Sequence, residues 1–495
     1  FLNHDAMNKI KYYIILATIT LFTLNGCGNW LDVSPENQVT DEKLFDDYSG
    51  FRNALNGIYQ ELSQQGLYGR ELSWGLISVL AQDYNADRLN KAYPEVATYN
   101  YDLADTKKMI DNLWIQMYNA IANCNKLIEE IQKKDGTFFP LGKAEKDLIE
   151  GEALALRAFI HFDLLRLFAP SPKVNATGTY LPYFTTYPSK YEPKQKTSDF
   201  LQLVIGDLSK AKDLVAHFDS THVTETGLYS ATWRYTPQSI NLGRFFNSRG
   251  IRLNYIAIHG LLARVYMYAG DETNAEKEAR FVLEHFVASE GGEDALRFAS
   301  TSELTSGKGL HTKYKSEIMF ALYDDKLTDL YDEFKTTNNT RFALKAWTDF
   351  FTEDGDDSRK NLGEYNYETG LYNLLKWQSF DTEVPDVTPN FNLIPVLRLS
   401  EMYYIISECR YNTSDATNAQ VYLQKVRDAY QADNRTVDMN RYQKELTLEM
   451  KKEYLTEGQL FFFYKRLNIA IENGGETVNV GNKFVLPIPE KEDVF

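Results

Sequence analysis

The pentapeptide Asp271-Glu272-Thr273-Asn274-Ala275 returns 144 residues later as Asp415-Ala416-Thr417-Asn418-Ala419. Each copy follows an apolar, aromatic-rich stretch (Tyr255 to Gly270, then Leu399 to Tyr411) and precedes an amphipathic one (Asn274 to Phe286 after the first copy). Apolar residues at three- and four-residue spacing on both sides predict paired helices, with small Ala and Gly where the helices touch. A third pair is visible upstream. Asn112 to Ile131 carries Leu113, Met117, Ala120, Ile121, Cys124, Leu127, Ile128 and Ile131 on one stripe. Asp111 is its predicted N-cap, Asp135-Gly136 its end, and Pro140 lies just beyond. Ala144 to Phe168 is apolar almost all round, which predicts a central helix, and Pro170 and Pro172 stop it.

Two helices and a turn within about 34 residues match the tetratricopeptide unit, and such units bury their apolar faces only by stacking. The expectation is an all-α fold of tetratricopeptide-like hairpins. Four long irregular stretches interrupt it: Leu62–Asp111, Ser171–Ser198, Asp219–Asn247 and Thr301–Pro395. They are rich in Tyr, Trp, Pro, Gly and Asn, and loops of this length in a compact chain usually carry function. Short strands are expected within them, for example at Ser316–Tyr323.

The start of the chain reads as an address. Met7 to Cys27 runs MNKIKYYIILATITLFTLNGC, a short basic end at Lys9 and Lys11 and then an apolar run too short to span a membrane comfortably. It ends in Leu24-Asn25-Gly26-Cys27, which resembles a lipobox. Residues 7–26 are therefore expected to be a lipoprotein signal peptide and Cys27 the lipidated residue, the first six residues being upstream of the initiator. Several acyl chains on one cysteine give stable anchoring.

A net charge of −16 argues against nucleic acid, whose phosphates need clustered Lys and Arg. Aromatic residues make up 14%, with 33 Tyr, and Tyr serves both packing and binding surfaces. Cys124 and Cys409 lie in apolar helical contexts and read as free buried thiols. No CxxC or HExxH pattern implies a metal, and no nucleophile elbow or phosphate-cradling glycine loop is present. Neither cofactor nor metal is expected. Asp354-Gly355-Asp356-Asp357 lacks the distal Glu of a calcium loop and reads as a solvated charge run. Arg157 and His161 share a helix face and read as a buried pair satisfied by carboxylates of a neighbouring helix. Arg398 and Glu401 read as structural, paired with neighbouring helices. Glu453 and Glu457, four apart on one helix face, do not span a substrate cleft as glycoside hydrolysis requires. No catalytic residue is assigned.

Several segments occur together in one order: Leu31-Asp32-Val33, Pro35, Thr40, Leu44-Phe45, Ala54-Leu55-Asn56-Gly57-Ile58-Tyr59, Trp114-Ile115-Gln116-Met117-Tyr118 with Ala122-Asn123, Gly151-Glu152-Ala153, Leu156-Arg157-Ala158, Ala263-Arg264-Val265-Tyr266 with Gly270-Asp271, Val396-Leu397-Arg398-Leu399-Ser400-Glu401, Val426-Arg427, Glu453-Tyr454-Leu455 with Glu457-Gly458-Gln459, and Leu486-Pro487-Ile488-Pro489. In this order, behind Cys27, the chain resembles the SusD/RagB family of nutrient-uptake outer-membrane lipoproteins over nearly its whole mature length. Phe463-Tyr464-Lys465-Arg466 departs from the pattern, since many members carry an acid before the basic pair. The resemblance implies an N-terminal SusD-like region over 28–250 and a C-terminal SusD/RagB region over 251–495 in one compact unit. It implies four tetratricopeptide-like pairs, a ligand-binding half, and a SusC-like TonB-dependent β-barrel as partner. The implied role is a surface-exposed, outer-membrane-anchored protein that binds glycan oligomers and is not an enzyme. Oligopeptides are the alternative cargo, and a surface glycan-degrading enzyme is the other alternative.

A sugar ring needs flat aromatic platforms with polar side chains at their rims. The loop aromatics and their polar neighbours give the candidate ligand-binding set Trp74, Asp83, Arg88, Tyr93, Trp233, Tyr235, Trp347 and Trp377.

Overall fold

The computed structural model describes residues 41–495, apart from 232–233, 236–241, 248, 288–294, 306–311, 333–334, 337–338, 341, 379–387, 433–434, 491 and 493–495. Cys27, the segment 7–26 and Trp233 lie outside the described residues. The chain divides into two compact units, Phe1–Gly50 and Phe51–Phe495.

Within the larger unit the helices stack in chain order. They are α1 (Ala104–Gln132), α2 (Gly142–Phe168), α3 (Thr197–Thr221), α4 (Tyr255–Ala269), α5 (Glu272–Phe286), α6 (Leu399–Asn412) and α7 (Ala416–Ala429), each packed on the next. Two more, α8 (Tyr442–Tyr454) and α9 (Gln459–Leu467), pack together after them. No helix among the described residues is long and apolar enough to cross a membrane.

The repeated pentapeptide is a pair of matched helix starts. Asp271 accepts two hydrogen bonds from Asn274, one from its backbone N–H and one, at 2.6 Å, from its side-chain amide. Asp415 accepts the same pair of bonds from Asn418, at 2.7 Å for the one from the side-chain amide. Such side-chain caps satisfy otherwise unpartnered N–H groups at a helix start. Gly270 and Ser414, just before the caps, both turn at positive φ. The following Ala275 and Ala419 are fully buried, which lets the next helix approach closely.

The α1 stripe is buried as expected, but the helix starts at Ala104, two turns earlier than the predicted Asp111 cap. Thr106 and Ile110 extend the buried stripe into that segment, so Asp111 lies inside the helix. From Leu148 to Phe168 every residue of α2 is buried, as a central helix requires. Arg157 on α2 is paired with Asp207 of α3 through bonds of 2.7 and 2.8 Å. His161 finds backbone instead of a carboxylate: its Nδ1 meets Arg157 O, and its Nε2 accepts Phe184 N–H at 3.1 Å. Burial holds its pKa well below the usual imidazole value, so the ring stays neutral.

Between α5 and α6 the chain builds its irregular half. Strand β1 (Ile318–Tyr323) pairs antiparallel with β4 (Leu393–Arg398), consistent with the strand expected near 316–323. Between them, β2 (Gly363–Asn366) and β3 (Leu371–Leu374) form a hairpin, and β5 (Ile471–Asn473) pairs with β6 (Glu476–Val478) near the C-terminus.

The acidic run 354–357 is not solvated throughout. Asp354 and Asp357 are fully buried. Asp354 bonds Arg427 at 2.7 Å and Lys452 at 2.5 Å, and Asp357 bonds Arg359 at 2.7 Å. Glu449 of α8 completes the cluster, with Arg359 at 2.6 Å and Arg427 at 2.9 Å. Buried charges persist only when paired in this way.

Candidate functional site

Most of the expected ligand-binding residues belong to a second core beneath the loops. Trp74 is 0% exposed, edge-on to Tyr331 and Phe342 at 5.1 and 5.5 Å. Tyr93 is also buried against Phe342, at 5.3 Å, and its hydroxyl donates to Glu71. Trp377 is 0% exposed and its Nε1 donates to Thr456 Oγ1 at 2.7 Å. Asp83, likewise buried, accepts the Thr456 backbone N–H at 3.0 Å. Burial pushes the Asp83 carboxyl up to about 7, although the Thr456 N–H and nearby Ser78, Lys451 and Lys376 pull it down. Trp347 is buried between Phe351 and the backbone of Gly363, where an added Cβ would lie 2.0 Å from the indole Nε1. Tyr235 is half-buried, with its hydroxyl held by the Ile318 carbonyl. Five of these six are buried and Tyr235 is half-buried. Arg88 alone of the described set is exposed, with Asp87 at 3.7 Å.

Their burial has a visible consequence. The strand segment around Tyr84 bridges Leu344, and Leu344 bridges Tyr372 of β3. The bonds Asn85 N to Ala343 O, Lys345 N to Asp83 O and Leu344 N to Tyr372 O, of 2.8 to 2.9 Å, tie three distant segments into one crossing. Asp83 takes part in that crossing, Trp74 and Tyr93 pack on Phe342 beside it, and the crossing leads into the β2–β3 hairpin.

The hairpin carries a cluster of tyrosines. Tyr365 lies directly opposite Tyr372 across the antiparallel pair. Tyr367, the first residue of the turn, packs edge-on against Tyr365. Ring centroids are 5.2 Å apart for Tyr365–Tyr372 and 5.1 Å for Tyr365–Tyr367, the latter at 90°. Tyr367 is 91% exposed and Tyr365 41%. The turn is built by Asn366, whose side-chain oxygen accepts N–H bonds from Glu368 and Thr369 at 2.9 and 3.1 Å. Gly370 closes it at φ 70°, in the left-handed region that glycine adopts without strain. The alternating Tyr-Asn-Tyr followed by Gly370 and Leu-Tyr-Asn was the available sequence signal for this hairpin.

A groove of about 650 Å³ lies among α3 to α6, but its groups are engaged with each other. Arg280 and Arg410 both bond Glu276, and Phe281 is covered on its two faces by His259 and His285 at 4.0 and 4.2 Å. Glu453 and Glu457, the one paired-acid motif, are buried beside Arg359 and Arg398 rather than facing a cleft. Among the described residues no cluster of His, Cys, Asp and Glu could hold a metal ion. Cys124 and Cys409 are free and buried, and burial pushes both thiols up, that of Cys409 to about 12.

Stacked helical hairpins with an irregular, aromatic-tipped half define a helical-repeat protein that presents loops from a rigid scaffold. Residues 29–233 match the family SusD-like_3, described as "Starch-binding associating with outer membrane", and residues 312–493 match SusD_RagB, the SusD family. The chain belongs to the SusD/RagB family. It is 25% identical over 278 residues to SusD-like protein P2 of Formosa agariphila, covering 55% of this chain and 46% of the relative. Against SusD-like protein P38 of the same organism it is 26% identical, over 42% of this chain and 38% of the relative. The matches thus span about half or less of these two proteins. SusD-like protein P25 is 21% identical, over 84% of this chain and 81% of the relative. Among solved structures, a SusD superfamily protein from Bacteroides thetaiotaomicron matches with a TM-score of 0.71 at 22% identity, covering 90% of this chain and 98% of that one. A SusD-like carbohydrate binding protein from Bacteroides vulgatus matches with a TM-score of 0.67 at 16% identity, covering 90% and 96%. The fold is that of the superfamily.

Proposed function

We propose that this protein is a non-catalytic receptor that captures glycan oligomers on the β2–β3 hairpin and passes them to a SusC-like TonB-dependent β-barrel. The observation that carries the reading is the aromatic cluster of the exposed Tyr365 and Tyr367 with the half-buried Tyr372. Flat rings with polar tips suit the apolar face and hydroxyl rim of a sugar. The rigid crossing beneath them limits the ordering cost of binding. Membership of the SusD/RagB family supports a carbohydrate ligand and an outer-membrane setting, since one matching family is described as starch-binding and associating with that membrane. A neighbour of the same fold is titled as carbohydrate binding. In this proposal Cys27 carries the lipid anchor and holds the protein at the cell surface. Expected ligand contacts shift from the buried tryptophans to the three tyrosines, with Arg88 as a rim candidate.

The test is calorimetry of the purified protein against a panel of glycan oligomers, with product analysis of the same mixtures. Binding without cleavage, lost when Tyr365, Tyr367 and Tyr372 are all changed to Ala, is the expected result. Undiminished affinity in the triple variant would refute the hairpin as the site, and cleavage of the oligomer would refute the non-catalytic role. Mass spectrometry of the N-terminal peptide from native membranes tests acylation of Cys27, and co-purification from those membranes tests the barrel partner.

A further inference from the structure

The helical half holds a polar cavity that glycan capture does not use. It has a volume of about 60 Å³ and lies where five helices meet, α2, α4, α6, α8 and α9. One water needs about 10–15 Å³ by the same measure, so a small ion with a few waters has room. Its wall carries Arg166, Arg264 and Arg466 against Glu401 and Glu408. Both oxygens of Glu401 accept from Arg264, at 2.7 and 2.6 Å, and both of Glu408 accept from Arg466, at 2.8 and 2.6 Å. Gln459 Oε1 accepts Arg166 Nη1–H at 3.1 Å. Two donors on the wall are left over. Arg264 Nη1 and the Tyr268 hydroxyl have no hydrogen-bond partner among the described residues, although the two residues are only 5% and 4% exposed. They are four apart on α4 and so share a face of that helix. Burial keeps the Tyr268 phenol protonated against the pull of Arg166 and Arg466.

A buried donor without a partner is costly, and native folds satisfy nearly all of them. A guanidinium nitrogen can only donate, while the wall acceptors named above already receive bonds. A guest that accepts and does not donate matches such a wall better than water, which has two hydrogens of its own to place. Charge favours the same guest. Three guanidinium groups stand against two carboxylates around the cavity, and Asp163, which bonds Arg166 at 3.0 Å, is not part of the wall. Glu401 and Arg466 are partly exposed, which gives ions a way in from solvent. We propose that this cavity binds a halide-sized anion, chloride in solution, held between Arg264 Nη1 and the Tyr268 hydroxyl by charge-assisted bonds. The anion fills the meeting point of α4 with α9 and stabilises the helical half. It has no part in glycan capture on the hairpin.

The test pairs thermal melts of the full chain with crystals soaked in bromide. Melts are run in sodium chloride and in sodium gluconate at equal ionic strength, gluconate being too large for the cavity. The melting temperature should climb with the logarithm of chloride concentration and stay level in gluconate. An anomalous bromide peak should lie between Arg264 Nη1 and Tyr268 Oη. Tyr268→Phe keeps the ring packed on Phe162, 5.4 Å away, and removes one of the two donors. It should weaken chloride by about tenfold or more, read as a shift of the chloride dependence to higher concentration. Bromide peaks confined to the surface, with only water in the cavity, overturn the proposal. So does a melting temperature that chloride and gluconate move alike, or a chloride dependence that Tyr268→Phe leaves unchanged.

Discussion

Arg398 and Glu457 face each other through two parallel bonds of 2.6 Å, with both side chains withdrawn from water. Arg398 ends strand β4, and Glu457 sits between α8 and α9, so the pair joins the irregular half to the last helices. Lys376 adds a third contact to the same carboxylate at 2.8 Å. Burial alone would raise the Glu457 carboxyl, but Arg398 and Lys376 hold it below its usual value. Changing Glu457 to Ala leaves two buried cations without their shared partner. The expected cost is about 3–5 kcal/mol, read as a lower urea midpoint. An unchanged midpoint would mean that water reaches Arg398 in solution.

Tryptophan and tyrosine variants should separate stability from binding. Trp377→Ala removes a fully buried ring and its bond to Thr456, and should cost about 3–5 kcal/mol of stability. Tyr367→Ala removes a ring that is 91% exposed, and should change stability by no more than about 0.5 kcal/mol. Affinity for a glycan oligomer should respond in the opposite sense, falling for Tyr367→Ala while folded Trp377→Phe retains it. Thermal melts and calorimetry on the same preparations check both halves.

The helical half was legible in the sequence because its signals are local. Period, caps and stops act within a few residues, and the Asp-x-x-Asn-Ala cap is visible in both copies. The one misplaced start, Asp111, arose because a polar segment before it continues the stripe only through Thr106 and Ile110. The loop half was read correctly as irregular, but its burial was not. Trp74 and Trp377 are packed by partners far away in the chain, Phe342 for the first and Thr456 for the second, and no local pattern reports that. The same holds for Asp354, whose partners Arg427 and Lys452 lie 73 and 98 residues away. The structural reading of Arg398 and Glu401 did survive: each pairs with a separate element, Glu457 and Arg264. The tyrosine hairpin was visible as an alternation around a glycine turn, yet tryptophan outweighed it as a platform residue.

Asp83 gives the protein a pH dependence of definite sign. Its carboxyl is pushed from 3.8 to about 7 in the folded state by burial. Between those values the folded chain holds a proton that the unfolded chain releases. Stability from this group is therefore greatest in acid and declines as pH rises through that window. Asp83→Asn keeps an acceptor for the Thr456 N–H and cannot ionise. The difference in melting temperature, variant minus wild type, should grow as pH is raised from about 4 to about 7 and then level off. A difference that stays flat across the window would place the Asp83 pKa near its ordinary value.

Gly363 tests whether the platform depends on the core beneath it. It opens β2 two residues before Tyr365, and its Cα hydrogens face the Trp347 ring. An alanine there would place a methyl 2.0 Å from Nε1 and 2.5 Å from the adjoining ring carbon, too close for any rotamer change of the methyl itself to relieve. Either Trp347 shifts within its packing against Phe350 and Phe351, or the strand lifts away from it. Overpacking of this kind costs about 1–3 kcal/mol. Because β3 is tied to the body through the Tyr84–Leu344–Tyr372 crossing, a β2 strand that lifts also misaligns Tyr365 against Tyr372. Gly363→Ala should thus weaken glycan binding although it removes no ligand-contacting group. The second variant Gly363→Ala, Trp347→Phe, which takes away the indole nitrogen and part of the ring, should recover much of the affinity. If the single variant binds as the wild type does, the tyrosines are aligned by the hairpin alone and the core beneath them has no part in recognition.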